Sequence, residues 1–232
     1  MNDPIPIAGI GRYPAGECLP RHRHVHGYVA LVLGGDYEES GDQGRIAVWP
    51  GTVVVHGDWT AHQDRFGARG AQVLNLPVAK GFALGAGHIA DPDTAARLAE
   101  RDPQAAAYYV RDHFRMGAAR RDDWPDLLAA ALTADPDILL ADWADHMGLN
   151  PASISRGFAR AYGVSPKRFR LEARTRQALT ALDAWQGSLA DLAADQGFAD
   201  QAHMARSIAA MTGDPPILHR AKSVQAGRVD PR

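Results

Sequence analysis

From Gly9 to about Val78 the apolar positions come in short runs broken by glycine, proline and acidic residues. Positions 28–33, 45–49, 52–55 and 71–76 each have the length and β-branched content of a strand. The clusters Gly34-Gly35-Asp36 and Gly41-Asp42-Gln43-Gly44 between them read as turns. No helix-length amphipathic period interrupts the series, so a small antiparallel sandwich or barrel is predicted. Residues 80–89 are glycine-rich and apolar, and read as an exit loop or an irregular strand.

At Asp91 the period changes. Asp91-Pro92 supplies a cap and a proline for the first turn of a helix carrying Ala95, Ala96, Leu98 and Ala99. Asp102-Pro103 repeats that start for a second helix running to about Met116. A third helix over 126–134 stops at Asp135-Pro136. Such helices fit either packing on the barrel or dimerisation.

The last third of the chain repeats itself at a period of about 49 residues. Residues 139–149 echo 189–198, with Ala144 and Gly148 aligned on Ala193 and Gly197. In each copy a small residue admits a crossing helix, and a glycine ends the first helix with left-handed dihedrals. A second helix follows, through Ile154 and Phe158 in one copy and Met204 and Ile208 in the other, which is the pattern of two helix-turn-helix units. Between the copies, Ser165-Pro166 begins a helix predicted to reach about Trp185. Some 20 residues would span about 30 Å, close to the roughly 34 Å of one turn of B-DNA.

A length of 232 residues suits two domains, and charge divides them. The formal net charge is -2, but residues from Ile138 onward hold 12 Lys+Arg against 9 Asp+Glu, while the preceding part holds 13 against 18. Cys18 is the sole cysteine, so no internal disulfide forms, and it reads as a small buried filler. Residues 1–6 lack a signal-peptide pattern, and no apolar run approaches the roughly 18 residues of a membrane span. A cytoplasmic protein without membrane association is expected.

Residues 137–222 resemble the DNA-binding domain of AraC-type transcriptional regulators. The resemblance is carried by 154–158 (Ile-Ser-Arg-Gly-Phe), 162–169 (Tyr-Gly-Val-Ser-Pro-Lys-Arg-Phe), 197–204 (Gly-Phe-Ala-Asp-Gln-Ala-His-Met), and Gly213 with Pro216 and Arg220. It implies two helix-turn-helix units on a long connecting helix, with double-stranded DNA as partner. This chain departs from the family pattern at Ala202, Met204, Ile208 and Ala209, and the last of these removes a basic residue from the second recognition helix.

On the first recognition helix Ser153, Ser155, Arg156 and Arg160 fall on the face away from Ile154 and Phe158. Arg156 is the candidate base reader, since a guanidinium pairs with both acceptors of a guanine edge. In the second unit Gln201, His203 and Arg206 project similarly. Lys167, Arg168, Arg170, Arg174 and Arg176 read as phosphate contacts or solvated charge.

In the first half, His22-Arg23-His24 precedes a strand whose alternation puts both imidazoles on one face, and His62 follows about forty residues later. That pattern resembles the cupin barrel, whose histidines bind a metal. Where cupins place a glutamate this chain has Tyr28 or Val29, and His26 is a candidate substitute. His22, His24 and His62 are accordingly candidate ligands for a divalent metal (Zn, Fe or Ni), and with Tyr28 they are candidate effector-binding residues. His56, Asp58 and Trp59 are further candidates for the pocket mouth.

The expected fold class is α+β. A cupin-like antiparallel β-barrel covers 1–90, connector or dimerisation helices 91–136, the all-α double helix-turn-helix domain 137–222, and a disordered tail 223–232. The expected function is non-enzymatic: a homodimeric transcriptional regulator whose promoter occupancy responds to a small-molecule effector, with RNA polymerase as a further partner. The alternative is a metal-dependent cupin enzyme with a fused helical domain.

Overall fold

The computed structural model describes residues 9–117, 119–135 and 137–219. They divide into two compact units, the first running to Asp126 and also taking Arg160–Gly163, the second taking Leu127–Ala159 and the described residues from Val164 onward. The tail expected at 223–232, and Arg220, lie outside the described residues.

The first unit contains β1 (Gly9–Tyr13), β2 (Cys18–Arg23), β3 (Tyr28–Gly41), β4 (Gly44–Val48), β5 (Thr52–His56), β6 (Ala61–Leu76) and β7 (Gly85–His88). Two helices follow, α1 (Pro92–Ala99) and α2 (Pro103–His113), then the short strands β8 (Arg115–Met116) and β9 (Ala119–Arg120). Helix α3 (Trp124–Ala134) spans the boundary between the units. All strands pair antiparallel in one sheet of order β1-β6-β3-β5-β7-β8, with β2 also on β6, β4 on β3, and β9 on β4. Among the described residues no ladder joins β1 to β8, so the sheet is not closed as the expected barrel.

The sheet branches because β3 and β6 are far longer than the hydrophobic runs suggested. Gly34-Gly35-Asp36 is no turn but an irregular stretch within β3, with register shifts against β6 on either side of it. The first part of β3 pairs β5 and the second pairs β4. Gly35 has φ +75°, and a Cβ there would stand 1.9 Å from the Gly70 carbonyl oxygen, so only glycine fits. Gly41-Asp42-Gln43-Gly44 does form the tight connection expected, and residues 85–88 join the sheet as β7.

Both faces of the sheet are covered, which explains the continuous apolar text of 28–32 and 52–55. Tyr28, Ala30, Val32 and Val54 enter one core with Tyr37, Ile46 and Phe66. Val29, Leu31, Val53 and Val55 enter the other, where α1 and α2 contribute Ala95, Ala99, Ala106, Ala107 and Val110. These connector helices therefore belong to the first unit. Asp91 and Asp102 cap them as the sequence predicts, accepting from Thr94 N–H at 2.9 Å and from Gln104 N–H at 2.9 Å. At the start of α3, Arg45 donates to both carboxylate oxygens of Asp126, at 3.0 and 2.8 Å, and to Asp123 just before the helix.

The second unit holds α4 (Leu140–His146), α5 (Pro151–Tyr162), α6 (Pro166–Leu182), α7 (Leu189–Asp195) and α8 (Gln201–Thr212). Its internal repeat extends to individual hydrogen bonds. Leu149 N–H donates to Ala144 O at 2.8 Å, and Phe198 N–H to Ala193 O at 2.8 Å. Each closure wraps a left-handed glycine, Gly148 (φ +64°) or Gly197 (φ +69°). Ala144 and Ala193 are fully buried, as a close helix crossing requires. Ile154, Phe158, Phe169, Leu192, Met204 and Ile208 form the apolar interior, with the rings of Phe158 and Phe169 edge to face at 5.4 Å. Helix α6 ends at Leu182, capped by Asp183, so its 17 residues span about 26 Å, shorter than the strut expected to reach Trp185.

Candidate effector cavity and nucleic-acid interface

Strands β2, β3, β5 and β6 bring together the histidines that the sequence singled out. His22 and His24 leave β2 and the loop after it, and the register His22↔His62 sets the third imidazole opposite the first. Ring centroids lie 4.8 Å apart for His22–His24, 4.5 Å for His22–His62 and 5.2 Å for His24–His62. Tyr28 joins them, its ring 5.0 Å from that of His24. His26 is exposed and takes no place in this cluster.

Two residues that the sequence reading did not place there, Glu39 and Asp64, complete the cavity, and His56, expected at its mouth, lies beside them. Glu39 and Asp64 line it with the three histidines, and His56 packs behind, stacked on Tyr28 at 4.4 Å and 4.7 Å from the His62 ring. Asp64 follows His62 by two residues in a strand, so alternation was a usable signal for their shared face. Glu39 was hidden because β3 was expected to stop before it. Asp58 and Trp59 instead hold the β5–β6 turn: Asp58 accepts from Gly27 N–H at 2.6 Å, and Trp59, with φ +60°, donates its N–H to His24 O at 2.9 Å. Cys18, expected to be buried, is exposed.

The electrostatics follow from burial. Glu39, Asp64, His24, His56 and His62 are all less than 9% exposed. Desolvation pushes the His62 imidazole well below its usual 6.5, and the neighbouring His56 and His22 push the same way, so it stays neutral. Burial, then the adjacent Glu39, raises the Asp64 carboxyl well above its usual range. Asp64 Oδ2 lies 3.5 Å from His62 Nε2, and Glu39 Oε2 lies 3.5 Å from His56 Nε2. His22 Nδ1 is 2.9 Å from Pro20 O, and since a carbonyl only accepts, Nδ1 carries the proton of that bond.

This donor set fits a divalent metal. The ligand atoms of His22, His24 and His62 lie within 4.8 Å of one another. Neutral imidazoles whose second nitrogen is held by a carbonyl or carboxylate are the usual form of metal-binding histidine. His62 Nδ1 and Asp64 Oδ1 are buried with no hydrogen-bond partner. Space open to water-sized groups amounts to about 50 Å³, room for an ion with a few small ligands, since one water needs roughly 10–15 Å³ by this measure.

In the second unit, Ser153, Ser155, Arg156 and Arg160 are exposed along one side of α5 while Ile154 and Phe158 are buried. On α8, Gln201 and Arg206 are exposed, whereas His203 is half-buried with its ring edge-on to Phe198 at 5.4 Å. Lys167 and Arg168 are exposed, and Arg168 pairs with Glu172 at 2.7 Å. Arg170 and Arg174 are not solvated charge: Arg170 donates to Ile138 O at 2.5 Å, and Arg174 to Gly197 O, with its guanidinium 5.8 Å from the Phe198 ring centre.

A family model described as a helix-turn-helix domain matches residues 143–222, about a third of the chain. Residues 143–222 are a helix-turn-helix domain. The matched span begins within α4 and holds α5, α6, α7 and α8. No curated protein matches the chain. Among solved structures, ToxT from Vibrio cholerae is 8% identical over 93% of this chain and 97% of its own, with a TM-score of 0.43. An AraC-type DNA-binding-domain regulator from Chromobacterium violaceum is 21% identical over 42% and 89%, at TM-score 0.39. Salicylate 1,2-dioxygenase from Pseudoaminobacter salicylatoxidans is 16% identical over 28% and 19%, at TM-score 0.27. Among the described residues no helix is long and apolar enough to cross a membrane.

Proposed function

We propose that the chain is a sequence-specific transcriptional regulator whose promoter occupancy is set by an effector held in the cavity of the first unit. The observation that carries this reading is the helix-turn-helix domain over 143–222, with Ser153, Ser155, Arg156 and Arg160 exposed beside the buried Ile154 and Phe158. An exposed face of that composition offers one guanidinium for a guanine edge and hydroxyls and a second cation for phosphates. Gln201 and Arg206 give α8 a thinner version of the same face, with His203 partly spent on packing.

The effector is a divalent metal on His22, His24 and His62, with any accompanying molecule small, because the open space is about 50 Å³. Metal binding would favour one state of the regulator through a coupling free energy, commonly about 1–3 kcal/mol. The regulator acts as a homodimer, with RNA polymerase as its further partner. The matched domain favours this reading over a metal-dependent enzyme with fused helices.

Selection from a pool of randomised duplexes by the purified full chain tests the proposal. Enrichment of one motif, carrying guanine where Arg156 reads, is expected. A pool that stays random after repeated rounds, with and without added zinc, would overturn it.

A further inference from the structure

Helix α6 carries Arg170 and Arg174 four residues apart, so both side chains leave the same face. Each guanidinium ends on a backbone carbonyl outside its own helix. Arg170 Nη2 donates to Ile138 O at 2.5 Å, at the entrance to α4, and Arg174 Nη1 donates to Gly197 O in the turn between α7 and α8. Arg174 Nη2 also stands 3.8 Å from Asp137 Oδ1. One guanidinium thus touches the approach to the first helix-turn-helix unit and the turn of the second. The internal repeat is not symmetric at this point. A Cβ at Gly197 would rest 3.5 Å from Arg174 Cζ, whereas one at Gly148, its counterpart, would meet nothing within 4 Å. The Phe198 ring, 5.8 Å from that guanidinium, adds a second contact to the same cation.

We propose that Arg174, assisted by Arg170, is the positioning residue that sets the distance between α5 and α8, and with it the spacing of the two base clusters that the chain accepts in one DNA site. The inference rests on the reading of the chain as a sequence-specific regulator, and names a determinant of that specificity that touches no base. Residues 137–138 lead into α4, which the Leu149 to Ala144 bond closes onto the start of α5; Gly197 lies inside the matching closure ahead of α8. Holding both points to one face of α6 therefore holds both reading helices. A charge-assisted bond is roughly twice as strong as a neutral one, and the planar fork of arginine fixes a direction that the ammonium of lysine does not. One added base pair moves the second cluster by about 3.4 Å and turns it by about 35°. A rigid pair of helices pays for that mismatch in lost contacts, whereas a loosened pair accommodates it and gains less from the correct spacing.

The test is fluorescence anisotropy of the full chain on the duplex motif it selects and on copies whose base clusters lie one base pair closer or farther apart. The clusters are assigned by the base preferences lost in Arg156→Ala and Arg206→Ala. Wild type loses at least about tenfold in affinity for either shifted copy. Arg174→Lys keeps the charge but not the fork, so its preference falls below about threefold while its salt slope matches wild type. Arg170→Lys narrows the preference in the same direction, and carries the test should Arg174→Lys fail to fold by circular dichroism. Folded variants that keep the wild-type preference overturn the inference and leave both arginines a role in stability alone. A selected motif with a single base cluster overturns it too, with the regulator reading intact. Selection of no motif by wild type is failure of that reading itself, and takes the inference with it.

Discussion

Glu39 Oε2 stands 3.5 Å from His56 Nε2, although the register partner of His56 is Tyr28, eleven residues earlier in β3. Eleven extended residues span about 36 Å. The two observations agree only if β3 bends strongly, and the register shifts around Gly34 and Gly35 fall between the two positions. That bent strand carries a buried carboxylate to the histidine cavity, and its two parts pair different neighbours, β5 and β4.

Gly35→Ala should therefore destabilise the first unit by more than about 1 kcal/mol, because the new Cβ meets the Gly70 carbonyl and φ is +75°. Gly34→Ala, where a Cβ meets nothing within 4 Å, should stay within about 0.5 kcal/mol. Urea unfolding of the two variants is the check; equal losses would place the bend elsewhere.

On α5 the two faces separate stability from recognition. Phe158→Ala removes a fully buried ring and should cost about 3–5 kcal/mol in stability. Arg156→Ala should leave stability within about 0.5 kcal/mol but weaken binding to the selected duplex by about 1–3 kcal/mol, with relaxed preference at one base. Denaturation curves and fluorescence anisotropy decide. Undiminished affinity in Arg156→Ala would remove it as the base reader.

Arg174 was expected among the phosphate contacts or the solvated charges, but it donates to Gly197 O in the turn of the second helix-turn-helix unit. Arg174→Ala should lower stability by about 1.5–3 kcal/mol, the range for a hydrogen bond to a charged group. Its salt slope for DNA should match wild type. A slope reduced by about one, with stability unchanged, would return Arg174 to the phosphate backbone.

The second unit was the more legible from sequence, since its determinants are local. Alanine four residues before glycine, repeated after about 49 residues, fixed both turns, and the hydrogen bonds Leu149 to Ala144 and Phe198 to Ala193 follow from that spacing. The length of α6 was misjudged by a turn because nothing between Leu182 and Trp185 breaks a helix by residue type alone. In the first unit His22 and His24 lie together as alternation implied, and His62 and Tyr28, singled out by the likeness to cupins, pack beside them. Glu39 stayed hidden because Gly34-Gly35-Asp36 has the composition of a turn, and only pairing with β6 keeps it in the sheet. Sheet closure was likewise beyond reach, since it depends on which long strand pairs with which.

On the function proposed above, a metal in the first unit governs DNA binding by the second. Anisotropy of the full chain on the selected duplex and on a scrambled one, each with chelator and with one equivalent of zinc across a salt series, tests it most directly. The account predicts tighter binding to the selected sequence, a negative salt slope and a several-fold change in affinity on adding zinc. Equal affinity for the two duplexes, or no response to zinc at any salt concentration, would contradict it.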